Sequence, residues 1–274
     1  NVGTYHVKVT INNCELGDGD EYEFEIIPFT ITEVDYLSEK EYDATSSVTN
    51  INNSTVLSSS QVFAGDSIEI EGTYVDRDNI AVKNASQDEY SIVFAIKNAD
   101  TLPAKNYILN VTGKGKITQR VITLNVNKEL SYKASGEYAI PYKEEDFTMV
   151  GTIVSGQTLE GIVKFNKQDT LGAIDLTQID LSGLTVIDSE SINQTANYLF
   201  KLSGNVSIVK SKIKIDFTGI SYIYIYSNSI VQIKPIISYV DESIQEALPT
   251  LTYNYKSTEY NSEEAPKYVG EYTF

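Results

Sequence analysis

Three landmarks in this chain recur at one spacing. Gly65 and Gly156, Tyr107 and Tyr198, and Leu124 and Ile215 are each 91 positions apart. Each landmark sits in a matching run. Gly156-Gln157-Thr158-Leu159-Glu160-Gly161 resembles the strand that follows Gly65-Asp66. Asn197-Tyr198-Leu199-Phe200 resembles Asn106-Tyr107-Ile108-Leu109, and Ile213-Lys214-Ile215-Asp216-Phe217 resembles Ile122-Thr123-Leu124-Asn125-Val126. Ile31 to Leu124 gives 93. A period of roughly 90 residues is the length of one β-sandwich, so the chain is constrained to be a row of related modules.

The local pattern agrees with that period. Tyr5, Val7, Val9 and Ile11 alternate with polar residues, as do Tyr22, Phe24 and Ile26 with Glu21, Glu23 and Glu25. This is the period-2 mark of half-buried strands. The turn chemistry of Asn12-Asn13 and Gly17-Asp18-Gly19-Asp20 between them predicts a β-hairpin. Ser67–Tyr74 and Tyr90–Phe94 read as further strands, and no helix-period apolar stripe of useful length is present. The expected fold is all-β: tandem Ig-like β-sandwich modules of about 90 residues, arranged as an elongated rod.

Near Thr118 the apolar phase changes. Ile117 lies on odd positions, while Ile122, Leu124 and Val126 lie on even ones. A one-residue slip in a continuous strand would turn every side chain to the wrong face, so a join between modules is expected here. The expected divisions are a terminal hairpin at 1–27, one sandwich at 28–119, a second at 120–211 and part of another at 212–274. Val269-Gly270-Glu271-Tyr272 near one end echoes Val2-Gly3-Thr4-Tyr5 near the other. The abrupt start and stop read as a piece of something longer.

The formal net charge is −17 and the pI is about 4.4. A surface this acidic repels phosphate backbones, so nucleic acid is not an expected partner. No apolar run approaches a membrane span, so no membrane insertion is expected of this segment. Cys14 is the one cysteine, which rules out an intrachain disulfide and suits either the cytosol or a bacterial surface.

Tyr42-Asp43-Ala44-Thr45, Gly65-Asp66, Tyr74-Val75-Asp76 and Asn106-Tyr107 followed by Ile117-Thr118 resemble the bacterial YDG repeat. Ala44 stands where that motif has glycine. The two ends, with Ala265-Pro266 and the Val-Gly-X-Tyr echoes, resemble the related bacterial Ig-like repeat called MBG. The unit from Tyr138 to Phe217 resembles the first more distantly and lacks the Tyr-Asp-Gly. Such repeats occur in tandem in large bacterial surface and secreted proteins, adhesins included, as stalks and spacers. The resemblance therefore implies an extracellular, cell-surface setting and neighbouring repeats of the same protein as partners.

Candidate sites are sparse. His6 and Cys14, the single members of their kinds, cannot assemble a metal cluster or a catalytic triad. No carboxylate spacing singles out a glycosidase pair, and the chain is not expected to be an enzyme. Asp18, Asp20, Asp76 and Asp78 lie in clusters of hard oxygen ligands that could hold Ca²⁺ at a joint; turn solvation is the plainer reading. No other cofactor is implied. Tyr222, Tyr224 and Tyr226 form a stripe that could stack on a sugar or partner, or simply pack against a sheet. Asn52, Asn53, Asn84, Asn110, Asn193 and Asn205 open Asn-X-Ser/Thr triplets, which a bacterium would leave unmodified. No Lys–Asn–acid triad for an isopeptide cross-link is identifiable.

The function expected from these readings is a structural stalk or spacer of a large bacterial surface or secreted protein. Its sharper form is a homopolymer, in which the 1–27 hairpin of one copy completes the 212–274 segment of another by strand addition. The alternatives are a glycan- or protein-binding adhesin module and an S-layer or matrix component.

Overall fold

The structure is a computed structural model that describes the chain except residues 11, 14–20, 52–61, 64, 178, 222, 269 and 274. The hairpin forms where the alternation places it. β1 (Gly3–Lys8) and β2 (Glu21–Ile26) pair antiparallel, with Tyr5 opposite Phe24 and Val7 opposite Tyr22. Their shared apolar face is exposed.

Six strands follow: β3 (Phe29–Ile31), β4 (Glu39–Glu41), β5 (Ile70–Val75), β6 (Tyr90–Ile96), β7 (Tyr107–Leu109) and β8 (Thr112–Thr118). β3 pairs with β7 in parallel. The other four make a sheet in the order β4-β8-β6-β5, parallel at β4/β8 and antiparallel elsewhere. Alternate residues of β5 and β6 turn inward, and Ile70, Tyr74, Ile92 and Phe94 are buried.

The chain continues through β9 (Arg120–Ser131), β10 (Tyr138–Pro141), β11 (Thr148–Val150), β12 (Gln157–Phe165), β13 (Gly172–Ala173), β14 (Ile179–Asp180), β15 (Leu184–Asp188) and β16 (Tyr198–Val209). These form one sheet ordered β10-β12-β14, with β15 also on β12, and another ordered β11-β9-β16-β13. The remaining strands are short: β17 (Ile213–Asp216) with β18 (Ile236–Tyr239), and β19 (Tyr255–Lys256) with β20 (Asn261–Ser262). Among the described residues, the helical elements are two single turns of 3₁₀ at Ala104–Asn106 and Thr195–Asn197. The fold is all-β.

Two compact units result. The first comprises Asn1–Ile122, Gly151–Leu159 and Thr185–Lys201, with Ile31, Tyr42, Tyr74, Ile117 and Ile122 in its interior. The second comprises Thr123–Val150, Glu160–Leu184 and Leu202–Phe274, and buries Leu124, Val126, Ile140, Val163, Leu184 and Val206.

The 91-residue spacing has a geometric counterpart. The Tyr107 hydroxyl accepts from the Phe63 amide and donates to the Asp66 carboxylate. The Tyr198 hydroxyl accepts from the Val154 amide and donates to Gln157 Oε1. Each partner lies 91 positions after its counterpart. Both turns need a left-handed residue, supplied by Gly65 at φ 93° and Gly156 at φ 81°. The 93-residue spacing from Ile31 to Leu124 is corrected by the same geometry. β3 opens at Phe29 and β9 at Arg120, so Ile31 corresponds to Ile122, and both are buried.

Two further differences concern residues 212–226. Ile215 occupies the Leu124 position of its repeat, yet it is 47% exposed where Leu124 is fully buried. The tyrosine stripe read as a strand forms no strand over 223–226. There Ser221 Oγ donates to the Ile223 carbonyl and accepts from the Ile223 amide. That local ring occupies backbone groups a ladder would need.

Candidate functional site

Around the phase change at Thr118, segments distant in sequence come together within the first compact unit. β8 ends at Thr118 and β9 begins at Arg120. Gln119 Nε2 donates to the carbonyls of Ala196 and Tyr198 at 2.9 and 3.3 Å. The Arg120 guanidinium donates to the Tyr42 carbonyl at 3.1 Å and to Thr152 Oγ1 at 2.9 Å. Glu41 Oε1 takes the Val121 amide at 3.0 Å. Three consecutive residues thus use their polar groups to hold segments far away in sequence.

Behind them runs a hydrogen-bond relay. The Val154 amide donates to the Tyr198 hydroxyl, and that hydroxyl donates to Gln157 Oε1 at 2.6 Å. Gln157 Nε2 donates to the Tyr42 hydroxyl at 2.9 Å, which points on to Gln194 Oε1 at 3.3 Å. Gln194 also accepts from Asn197 Nδ2 and donates to Asp188 Oδ2. Asn197 Oδ1 takes the Ala85 amide at 2.8 Å. Tyr42, Gln194, Asn197 and Tyr198 are buried. Donors and acceptors alternate along the relay, so each bond polarises the next, and removal of one member strands its neighbours away from water.

The relay is built from neutral phenols and amides, apart from the carboxylate at its end. Asp188 is held below the usual carboxylate range by the Ile192 amide, with Gln194 and the Glu190 amide adding to it. Burial pushes the Tyr198 phenol up, with the nearby Tyr42 adding to the rise. The 3₁₀ asparagine serves the other repeat similarly. Asn106 Oδ1 accepts from the Val2 amide at 2.9 Å, as Asn197 does from Ala85.

The Tyr42-Asp43-Ala44-Thr45 turn adds a buried charge. Lys40 Nζ spends its three protons on Asp43 Oδ1 at 2.7 Å, the Thr45 carbonyl at 2.8 Å and Thr45 Oγ1 at 2.9 Å. It also lies 5.6 Å from the centre of the Tyr74 ring. Burial pushes the Asp43 carboxyl up, but the bonds from Lys40 and from the Thr45 amide and hydroxyl outweigh it and leave it below its ordinary value. Ala44 closes the turn at φ 62°, in the left-handed conformation that a glycine would adopt without strain.

A cavity of about 590 Å³ opens in the 217–272 region of the second unit. Its walls include Tyr224, Tyr226, Tyr255, Tyr268 and Tyr272, with Lys267 and Glu271 near Gly270. Tyr255 is buried, whereas Tyr224 and Tyr226 are exposed. Tyr272 stands edge-on to Tyr260, with ring centroids 5.5 Å apart.

Of the sequence candidates, Asp18, Asp20, Tyr222 and Cys14 lie outside the described residues. Asp76 Oδ1 accepts from the amides of Asp78 and Ile80 and so closes a turn. Among the described residues no three His, Cys, Asp or Glu side chains cluster as metal ligands. His6 is exposed between Glu21 and Glu23. Tyr224 and Tyr226 do come together, as walls of the cavity. Gln157 and Asn197 lie in runs that repeat along the sequence, Gln119 and Arg120 lie at the phase change after Thr118, and Gln194 had no sequence signal of its own. No family model, curated protein or solved structure matches the chain.

Proposed function

We propose that this chain is a spacer segment of a bacterial surface or secreted protein, a row of Ig-like sandwiches whose repeats are held in fixed register. The observation that carries this reading is the relay through Tyr42, Gln157, Tyr198 and Gln194. A flexible tether has no use for a buried polar network between consecutive repeats; a stiff one does, because such a network admits few alternative arrangements. The division of the chain agrees, since Gly151–Leu159 and Thr185–Lys201 of the second repeat belong to the same compact unit as the whole of the first. Support for the sandwich form comes from 29–41 and 107–118, which pass together from the β3/β7 pair into the β4-β8-β6-β5 sheet. In this reading residues 28–211 unfold in one transition, and the Q157A/Q194A double variant splits it in two. A wild-type protein that already loses its repeats separately, by calorimetry and by amide exchange, overturns the spacer reading.

A fibre-forming version rests on a separate observation. Tyr5 donates its hydroxyl to the carbonyl four residues back, on Asn1, and Tyr272 does the same to Tyr268. An edge of the β1/β2 hairpin would then add to the strand edge near Thr273 of a second copy, which now pairs with Lys256, and the exposed apolar face of the hairpin would be covered in the process. Sedimentation velocity decides it: growth in mass with concentration, lost when Val7 and Phe24 are replaced by Ser, supports addition, and a constant monomer mass rejects it.

A further inference from the structure

The geometry points to the tyrosine cavity as a binding site for a neutral saccharide. This stands apart from the spacer reading and needs none of the joint residues. The cavity volume of about 590 Å³ falls in the range of small-molecule sites, roughly 300–1,000 Å³. Its walls present two kinds of surface at once. Tyr224, Tyr226 and Tyr268 are 47%, 58% and 73% exposed as residues, so they have not been consumed by the core. Ser221, Ser227, Ser229, Lys267 and Glu271 line the same cavity and supply its polar groups, with the Ser221 hydroxyl already engaged by Ile223.

That mixture selects a ligand chemistry. A hydrocarbon would cover the rings but strip water from the hydroxyls, the ammonium and the carboxylate without replacing it, which is unfavourable for each group. A pyranose has an apolar C–H face to lay on a tyrosine ring and a rim of hydroxyls that both donate and accept. Lys267 and Glu271 carry opposite charges, so the wall offers no net charge to an ion. The whole chain at −17 repels anions. Sulfated, phosphorylated or sialylated sugars are therefore the disfavoured members of the class.

The test uses the full chain and four probes: cellobiose, maltose, lactose and 3′-sialyllactose, each titrated by calorimetry at low salt. At least one of the three neutral sugars is expected to bind saturably at one site, with 3′-sialyllactose weaker than lactose. Y226A and Y268A are each expected to weaken binding about tenfold, the scale of one lost stacking contact. Y226F and Y268F keep the ring and are expected to stay near wild type. Circular dichroism shows whether each Ala variant remains folded, and the Phe pair supplies the comparison if one does not. Absence of saturable binding by all three neutral sugars overturns the proposal, as does binding that both Ala variants leave unchanged. Tighter binding of 3′-sialyllactose than of lactose overturns the preference for neutral ligands.

Discussion

Tyr42 and Tyr198 meet edge to face, with ring centroids 5.5 Å apart at 77°, and Gln157 ties their hydroxyls together. The contact spans 156 residues of chain (198 − 42) and joins the motif turn of one repeat to the last long strand of the next. Gln157 is the link with no apolar substitute. Q157A removes one hydrogen-bond partner from each of two phenols, and the expected loss is about 1–3 kcal/mol, read as a lower urea midpoint. Y42F, which keeps the ring, is expected to cost about 1 kcal/mol. Equal stabilities for all three proteins would show that the relay contributes nothing.

The left-handed Ala44 makes a prediction of the opposite sign. A44G is expected to stabilise the protein by about 1 kcal/mol, because the strain of an L-residue at φ 62° exceeds the added chain entropy of glycine. A lower melting temperature for A44G would mean that the turn relaxes in solution.

Burial contrasts two repeat positions. Leu124 is fully buried and Ile215, its counterpart, is 47% exposed. L124A is expected to cost about 2–5 kcal/mol, and I215A to stay within about 0.5 kcal/mol of wild type. Denaturant titrations of the two variants check the pair, and similar losses would show that 212–217 packs as tightly as 122–126.

Acid acts on the clasp at Lys40. The Asp43 carboxyl sits below its ordinary value of 3.8 in the folded chain. Its contribution is therefore fully present above the unfolded value, and is lost as pH falls through the lowered one. Asp188, Asp241 and Glu246 shift in the same direction. Stability is expected to fall steadily below about pH 4, less steeply in D43N than in wild type. An unchanged acid slope in D43N would remove Asp43 from the account.

Alkali acts on the tyrosines with the other sign. Burial raises the phenols of Tyr74, Tyr107, Tyr138, Tyr142 and Tyr198 above 10.0. A raised value in the folded state gives stability that is present below the unfolded value and lost as pH rises through the folded one. The part of the tyrosinate band that these five phenols contribute should therefore appear together with the alkaline loss of fold. A single smooth titration with no loss of fold would contradict this.

Most of the strands were legible because alternation is a direct imprint of a two-faced ladder. β1, β2, β5, β6, β9 and β16 all fall on runs that alternate or repeat. The repeat was legible for the same reason, through Tyr107 and Tyr198. The joint was legible only as a disturbance: the phase slip marked Thr118 but could not say that Gln119 and Arg120 reach 77 residues forward and 78 back. Glutamines and asparagines look alike in sequence whether they line a turn or a buried relay. The stripe at 222–226 misled because alternation states which faces differ, and not whether any strand is available to pair with. The cavity drew on residues around 255 and 268–272 that no local pattern connects to Tyr224.

The parallel pairings of β3 with β7 and of β4 with β8 have a mechanical corollary. The strands that enter and leave residues 29–118 lie side by side and point the same way. Tension applied along the chain drags β4 toward its start and β8 toward its end, in opposite senses along one shared axis. Their ladder is then sheared, and its hydrogen bonds must fail together. The antiparallel β1/β2 hairpin, pulled at its two outer ends, would peel open one bond at a time. Within one polypeptide, stretching force would thus find a brittle clamp beside a compliant zip.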